Sequence, residues 1–179
     1  MRSSFAQATT QPAMKPILIL LAAVMLVAAF GRDTEPVRTK KPIGRAELYW
    51  LMNRACWYGD DIGVQMLLGA GADPDGVKDY AEFKRFEPSW PINQASWGGH
   101  VEVVTLLLKA GAKVDFPEGE GYTALTIASM KNHPKLVSVL LAAGADISYK
   151  TPEGTALEIA RAKCFTEVSR AIESHKKPK

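Results

Sequence analysis

The sequence predicts an all-α solenoid of stacked helix-turn-helix units joined by hairpin-like finger loops. Three observations carry the prediction. The pieces "LLGAGADPD" (67–75), "LLKAGAKVD" (107–115) and "LLAAGADIS" (140–148) are copies of one another, with central glycines at Gly71, Gly111 and Gly144. Upstream of each, "NRACWYGD", "NQASWGGH" and "TIASMKNH" recur with alanines at Ala55, Ala95 and Ala128, so spacings of 40 and 33 residues are set twice over. Within a unit the apolar residues follow a helical period: Val101, Val104, Leu107 and Leu108 share one stripe, and Leu67–Leu68 and Leu140–Leu141 fill the same places.

The elements follow in chain order. Residues 1–29 are expected to be a signal peptide, with Met14 as an alternative start. Lys15 precedes the uncharged apolar run Ile17 to Phe30, which is shorter than the roughly 20 residues a membrane span needs. Val27-Ala28-Ala29 supplies the small residues of a cleavage site. Residues 30–44 mix charge with prolines and read as a linker. The repeat domain spans 45–174, with units at about 46–75, 86–115, 119–148 and 152–174 and a basic tail at 175–179. In each unit a short first helix, with its small alanine at a close helix crossing, is followed by a second helix that stops at a glycine suited to left-handed backbone. The fourth copy is degenerate: Ala160 falls thirty-two residues after Ala128, and no Gly-Ala coda follows.

A period near 33, paired antiparallel helices and a Gly-Ala-Asp turn resemble the ankyrin repeat. The residues that carry the resemblance are Thr123-Ala124-Leu125, Gly99-His100, Val103-Val104, Leu106-Leu107-Leu108 and Ala143-Gly144-Ala145-Asp146. The family's Thr-Pro-Leu-His opening becomes Trp50-Leu51-Met52-Asn53, Trp90-Pro91-Ile92-Asn93, Thr123-Ala124-Leu125-Thr126 and Thr155-Ala156-Leu157-Glu158, so its histidine is replaced in all four units. The resemblance implies that His100 and His133 bond to neighbouring backbone at the start of a second helix. It also implies that Cys164 stands at the inter-helix glycine position and that Cys56 replaces a small core alanine. Units stacked about 10 Å apart would hold these two cysteines far beyond the roughly 7 Å reach of a disulfide.

Composition narrows the function. The chain carries 22 basic and 19 acidic residues. Setting aside Arg2 and Lys15 leaves a near-neutral remainder with no electrostatic footprint for nucleic acid. There is no Gly-x-Ser-x-Gly, P-loop, His-Glu-x-x-His or paired Cys-x-x-Cys. No catalytic residue, metal ligand set, cofactor or small-molecule substrate is expected, and four units suffice for a monomer.

What remains is surface. The resemblance places a concave, protein-gripping face along the ends of the first helices, at Trp57, Tyr58, Trp97, Met130, Lys131, Ala162 and Lys163. Aromatic side chains anchor interfaces because they bury much area at low entropic cost; the competing reading has the tryptophans only packing one unit on the next. The spacing of 40 implies seven extra residues in an enlarged finger, 76–89, where Tyr80, Phe83 and Phe86 alternate with Lys84 and Arg85. Insertions there leave the stack intact and often fall on the binding face. The expected function is a non-enzymatic protein-binding module, exported to the periplasm or secreted, that inhibits a toxin as an immunity protein does or protects an envelope enzyme. The alternative is a scaffold tethered to the inner membrane by an uncleaved Ile17–Phe30.

Overall fold

The computed structural model describes residues 44–76 and 90–176. The expected signal segment, most of the linker and nearly all of the enlarged finger lie outside these residues. Among the described residues eight helices pair into four hairpins, as the internal repeat requires. The first helices are α1 (Arg45–Tyr58), α3 (Pro91–Gly98), α5 (Ala124–Met130) and α7 (Ala156–Ala162). The second helices are α2 (Asp61–Gly69), α4 (Val101–Lys109), α6 (Pro134–Ala142) and α8 (Thr166–Lys176). Each first helix packs on its own second helix and on the first helix of the next unit, and the second helices stack likewise. The result is the two-layer, all-α solenoid expected.

The core runs lengthwise through the stack. Ala55, Ala95, Ala128 and Ala160 have no exposed surface, which lets the helices cross closely. Around them Met52, Leu67, Val104, Leu107, Leu125, Leu136, Leu140, Val168 and Ile172 are buried. No unit could hide this surface alone, so the energy of folding resides largely between units. The polar residues of the fourth unit, Arg161, Lys163, Glu167, Arg170 and Glu173, are all exposed and close the stack.

Starts and stops are chemically explicit. Thr123 and Thr126 form a reciprocal capping box at α5, and Thr155 and Glu158 form another at α7. Proline stands in the first turn of α3 and α6. The coda glycines Gly71, Gly111 and Gly144 take φ of 87°, 92° and 88°, ending each second helix in the left-handed conformation. The fingers are hairpin-like: β1 (Lys150–Thr151) pairs antiparallel with β2 (Gly154–Thr155), and a single bridge joins Glu118 to Tyr122 in the preceding loop.

Asp75 Oδ1 accepts the Lys113 N–H at 2.7 Å, and the Asp115 carboxylate accepts the Asp146 N–H at 3.0 and 3.2 Å. Each aspartate thus ties one coda to the next.

Two features depart from the sequence expectations. Trp50-Leu51-Met52-Asn53 is not an opening turn: it lies inside α1, which starts at Arg45 and is 14 residues long. Neither threonine nor proline stands there to start a helix, and Asn53 Nδ2 donates to the Tyr49 carbonyl one turn back. At the other end α8 runs to Lys176, so His175 is helical. Cys56 is buried as expected, in a register shared with Ser96 and Ser129. Burial pushes its thiol pKa far up, which leaves it a small inert core residue.

Candidate binding face

The turn between the two helices of a unit needs one residue in left-handed backbone. Gly59, Gly99, Asn132 and Cys164 fill that place, with φ of 69°, 71°, 60° and 59°. The first two units have a second reason for glycine. The His100 ring lies against Gly59 and the His133 ring against Gly99, where an added Cβ would sit 2.6 Å from His133 Nδ1. His100 Nε2 bonds the Trp57 carbonyl at 3.1 Å, and His133 Nε2 bonds the Trp97 carbonyl at 3.4 Å. Each histidine therefore ties its own unit to the turn before it, in the structural role that the resemblance implies. Among the described residues no group of histidine, cysteine and carboxylate side chains could hold a metal ion.

These bonds set the turns side by side as a row. Trp57 and Tyr58 are 50 % and 60 % exposed. Trp97 is half-buried, and Lys131 lies over it with Nζ 4.4 Å from the ring centroid. Met130 is half-buried, while Lys131, Ala162 and Lys163 are exposed. The structure thus brings Trp57, Tyr58, Trp97, Met130 and Lys131 into successive turns. Tyr80, Phe83, Lys84, Arg85 and Phe86 lie outside the described residues.

Packing between units is plain at another tryptophan. Trp90 is 6 % exposed and stacks on Phe116, ring centroids 3.4 Å apart, with Lys113 over the other ring. Trp97 also meets the next unit, through Lys131, while Trp57 stacks on no ring among the described residues. A free energy of about 1.5–3 kcal/mol is forgone when a large apolar side chain stays in water instead of a core. Half-exposed rings at Trp57 and Tyr58 are therefore suited to a surface that becomes covered.

A protein-family model described as ankyrin repeats (three copies) matches residues 51–151. The chain belongs to the ankyrin repeat family. The match takes in the first three helix pairs, and the structure adds a fourth, α7 with α8, beyond it. No curated protein matches the chain significantly. Ankyrin repeats are generally protein–protein interaction modules and typically non-enzymatic, in keeping with a site made of rings and lysines.

The sequence reading named the row but missed its internal pairing. Trp97 and Lys131 are 34 positions apart, close to one repeat, and that near-repeat spacing was the available signal. It also passed over the polar base of the finger side. There Asn93 Nδ2 donates to the carbonyls of Phe116 and Tyr122, and Gln94 Nε2 donates to Glu118 at 3.1 Å. Asparagine at the opening-histidine position of the second unit thus holds the next finger.

Proposed function

We propose that this ankyrin protein acts outside the cytoplasm as a non-enzymatic binding module that grips one protein partner through the Trp57–Lys131 row and the enlarged finger. The observation that carries the proposal is the exposure of Trp57 and Tyr58 at the end of a helix whose other face is fully packed. Export is supported by the apolar run Ile17–Phe30 with its small-residue site at Val27–Ala29. In that compartment a rigid module without catalytic groups suits an immunity protein for a toxin or a protector of an envelope enzyme.

The test is affinity capture from the envelope fraction with the full chain, compared with Trp57→Ala plus Trp97→Ala. A specific partner lost with the double variant is expected. Finding none, or retention of the partner by the variant, overturns the proposal. The apolar run also supports the tethered scaffold; a mature chain starting near Phe30, read by intact mass, excludes it.

A further inference from the structure

The turn row changes chemistry along its length, and we infer from this the class of partner segment it takes: one that is aromatic or apolar where it meets the first unit and acidic where it meets the third and fourth. The inference rests on reading the row as a protein-binding face and adds a direction and a charge to it.

Each unit contributes two successive side chains to the row: Trp57 and Tyr58, Trp97 and Gly98, Met130 and Lys131, Ala162 and Lys163. The first position shrinks from indole to methyl. The second passes from phenol through no side chain to ammonium. Gly98 cannot acquire a side chain, because an added Cβ would collide with the His100 imidazole. The second unit therefore adds only the Trp97 ring, with the Lys131 ammonium over it, between the aromatic end and Lys163.

The cations are positioned and available. Lys131 is held over the Trp97 ring, so its charge is placed before any partner arrives and less rotamer freedom is lost on binding. Arg161 is already paired with Glu173 at 2.7 Å, whereas Lys131 and Lys163 meet no carboxylate among the described residues. The neighbouring helix starts continue the gradient. Asp61 and Glu102 are exposed at the start of α2 and α4, beside the aromatic half, and Lys135 is exposed at the start of α6, beside the basic half. Glu167 at the start of α8 runs against this order.

An anionic bilayer also attracts tryptophan and lysine, but it presents both chemistries at one depth. This row runs from a ring-only end at Trp57 and Tyr58, through the Trp97–Lys131 pair, to a lysine at the fourth unit, which matches a linear chain. Neighbouring units are about 10 Å apart, so the Lys131 ammonium, held over the second-unit ring, lies roughly 13 Å from Trp57 and Lys163 roughly 30 Å. An extended partner, at about 3.3 Å per residue, would carry acidic residues about four and nine positions from its aromatic anchor.

The experiment uses the full chain and labelled synthetic peptides in a Gly-Ser background, with one Phe followed at plus four and plus nine by Glu or by Gln, each made in both chain directions. Binding is followed by fluorescence anisotropy. At about 50 mM salt, where screening is weak, the Glu peptide of one direction should bind about tenfold tighter than its Gln counterpart, as two exposed charge pairs allow. Lys131→Glu with Lys163→Glu should remove the difference, and Trp57→Ala should weaken both peptides alike. Circular dichroism confirms that the variants fold. Equal affinities, no binding by either peptide, or indifference to the double charge reversal overturns the inference. So does binding to phosphatidylglycerol vesicles without peptide discrimination. A protein captured in a Trp57-dependent but Lys131- and Lys163-independent manner overturns it while leaving the module proposal standing; finding no captured partner at all counts against the module itself.

Discussion

The first and third units occupy equivalent places in the same stack and spend their side chains differently. In the third, every residue from Thr123 to Ser129 is buried and α5 is closed by a reciprocal threonine box. In the first, α1 is twice as long, starts on Gly44 without a side-chain cap, and leaves Trp57 and Tyr58 half in water. The interior unit carries stability. The first carries exposed apolar surface that stability alone would not retain, and the difference separates what the fold needs from what a partner would use.

The widest test of that contrast is truncation on each side of it. Leu136→Ala removes a side chain with no exposed surface and should cost about 3 kcal/mol in urea unfolding. Trp57→Ala should stay within about 0.5 kcal/mol; a cost approaching that of Leu136→Ala would make Trp57 a packing residue. Next is Gly99→Ala, expected to cost about 2 kcal/mol because it meets both left-handed backbone and the His133 ring. Gly111→Ala has open space around it and should cost about 1 kcal/mol, from backbone alone. If the two costs are equal, the histidine contact contributes nothing.

Thr155→Ala should cost about 1 kcal/mol, the usual value of an N-cap. Its box also carries a pH dependence. The backbone and side-chain bonds to Thr155 hold the Glu158 carboxyl below its usual range, and bonds from Ser148 do the same for Asp146. Both groups bind protons more readily unfolded. Their contribution is therefore complete above the ordinary carboxylate range near pH 4 and disappears as pH falls through the depressed folded values. The acid limb of a thermal melt series should flatten in Glu158→Gln, whereas Thr155→Ala keeps the backbone N–H that is the main cause of the shift. The smallest effect expected is a gain: Cys164→Gly relieves a left-handed cysteine and should raise stability by up to about 1 kcal/mol.

Much of the fold was legible because its signals are local and repeated. Gly71, Gly111 and Gly144, in phase with Ala55, Ala95 and Ala128, mark both helix layers before any coordinates exist. The start of α1 was not legible, since Trp50–Asn53 occupies the register of an opening turn and only the absence of threonine or proline betrays a continuing helix. The row of turn residues could be named from register. The Lys131 ammonium over Trp97 could not, because it depends on the offset between neighbouring units. The Asn93 bonds to the next finger were hidden for the same reason, as a tertiary contact made by a residue that departs from the family's motif.

The aspartate ladder has a consequence for how the last unit is held. Here Ser148 stands where Asp75 and Asp115 stand in the earlier codas, and its N–H and hydroxyl both bond back to Asp146 at 2.8 and 2.6 Å. The carboxylate that would reach forward is missing, and the one nearby is occupied by its own turn. One residue change thus ends the aspartate ladder at the third coda, so the fourth unit is held by helix packing rather than by a carboxylate bond between codas.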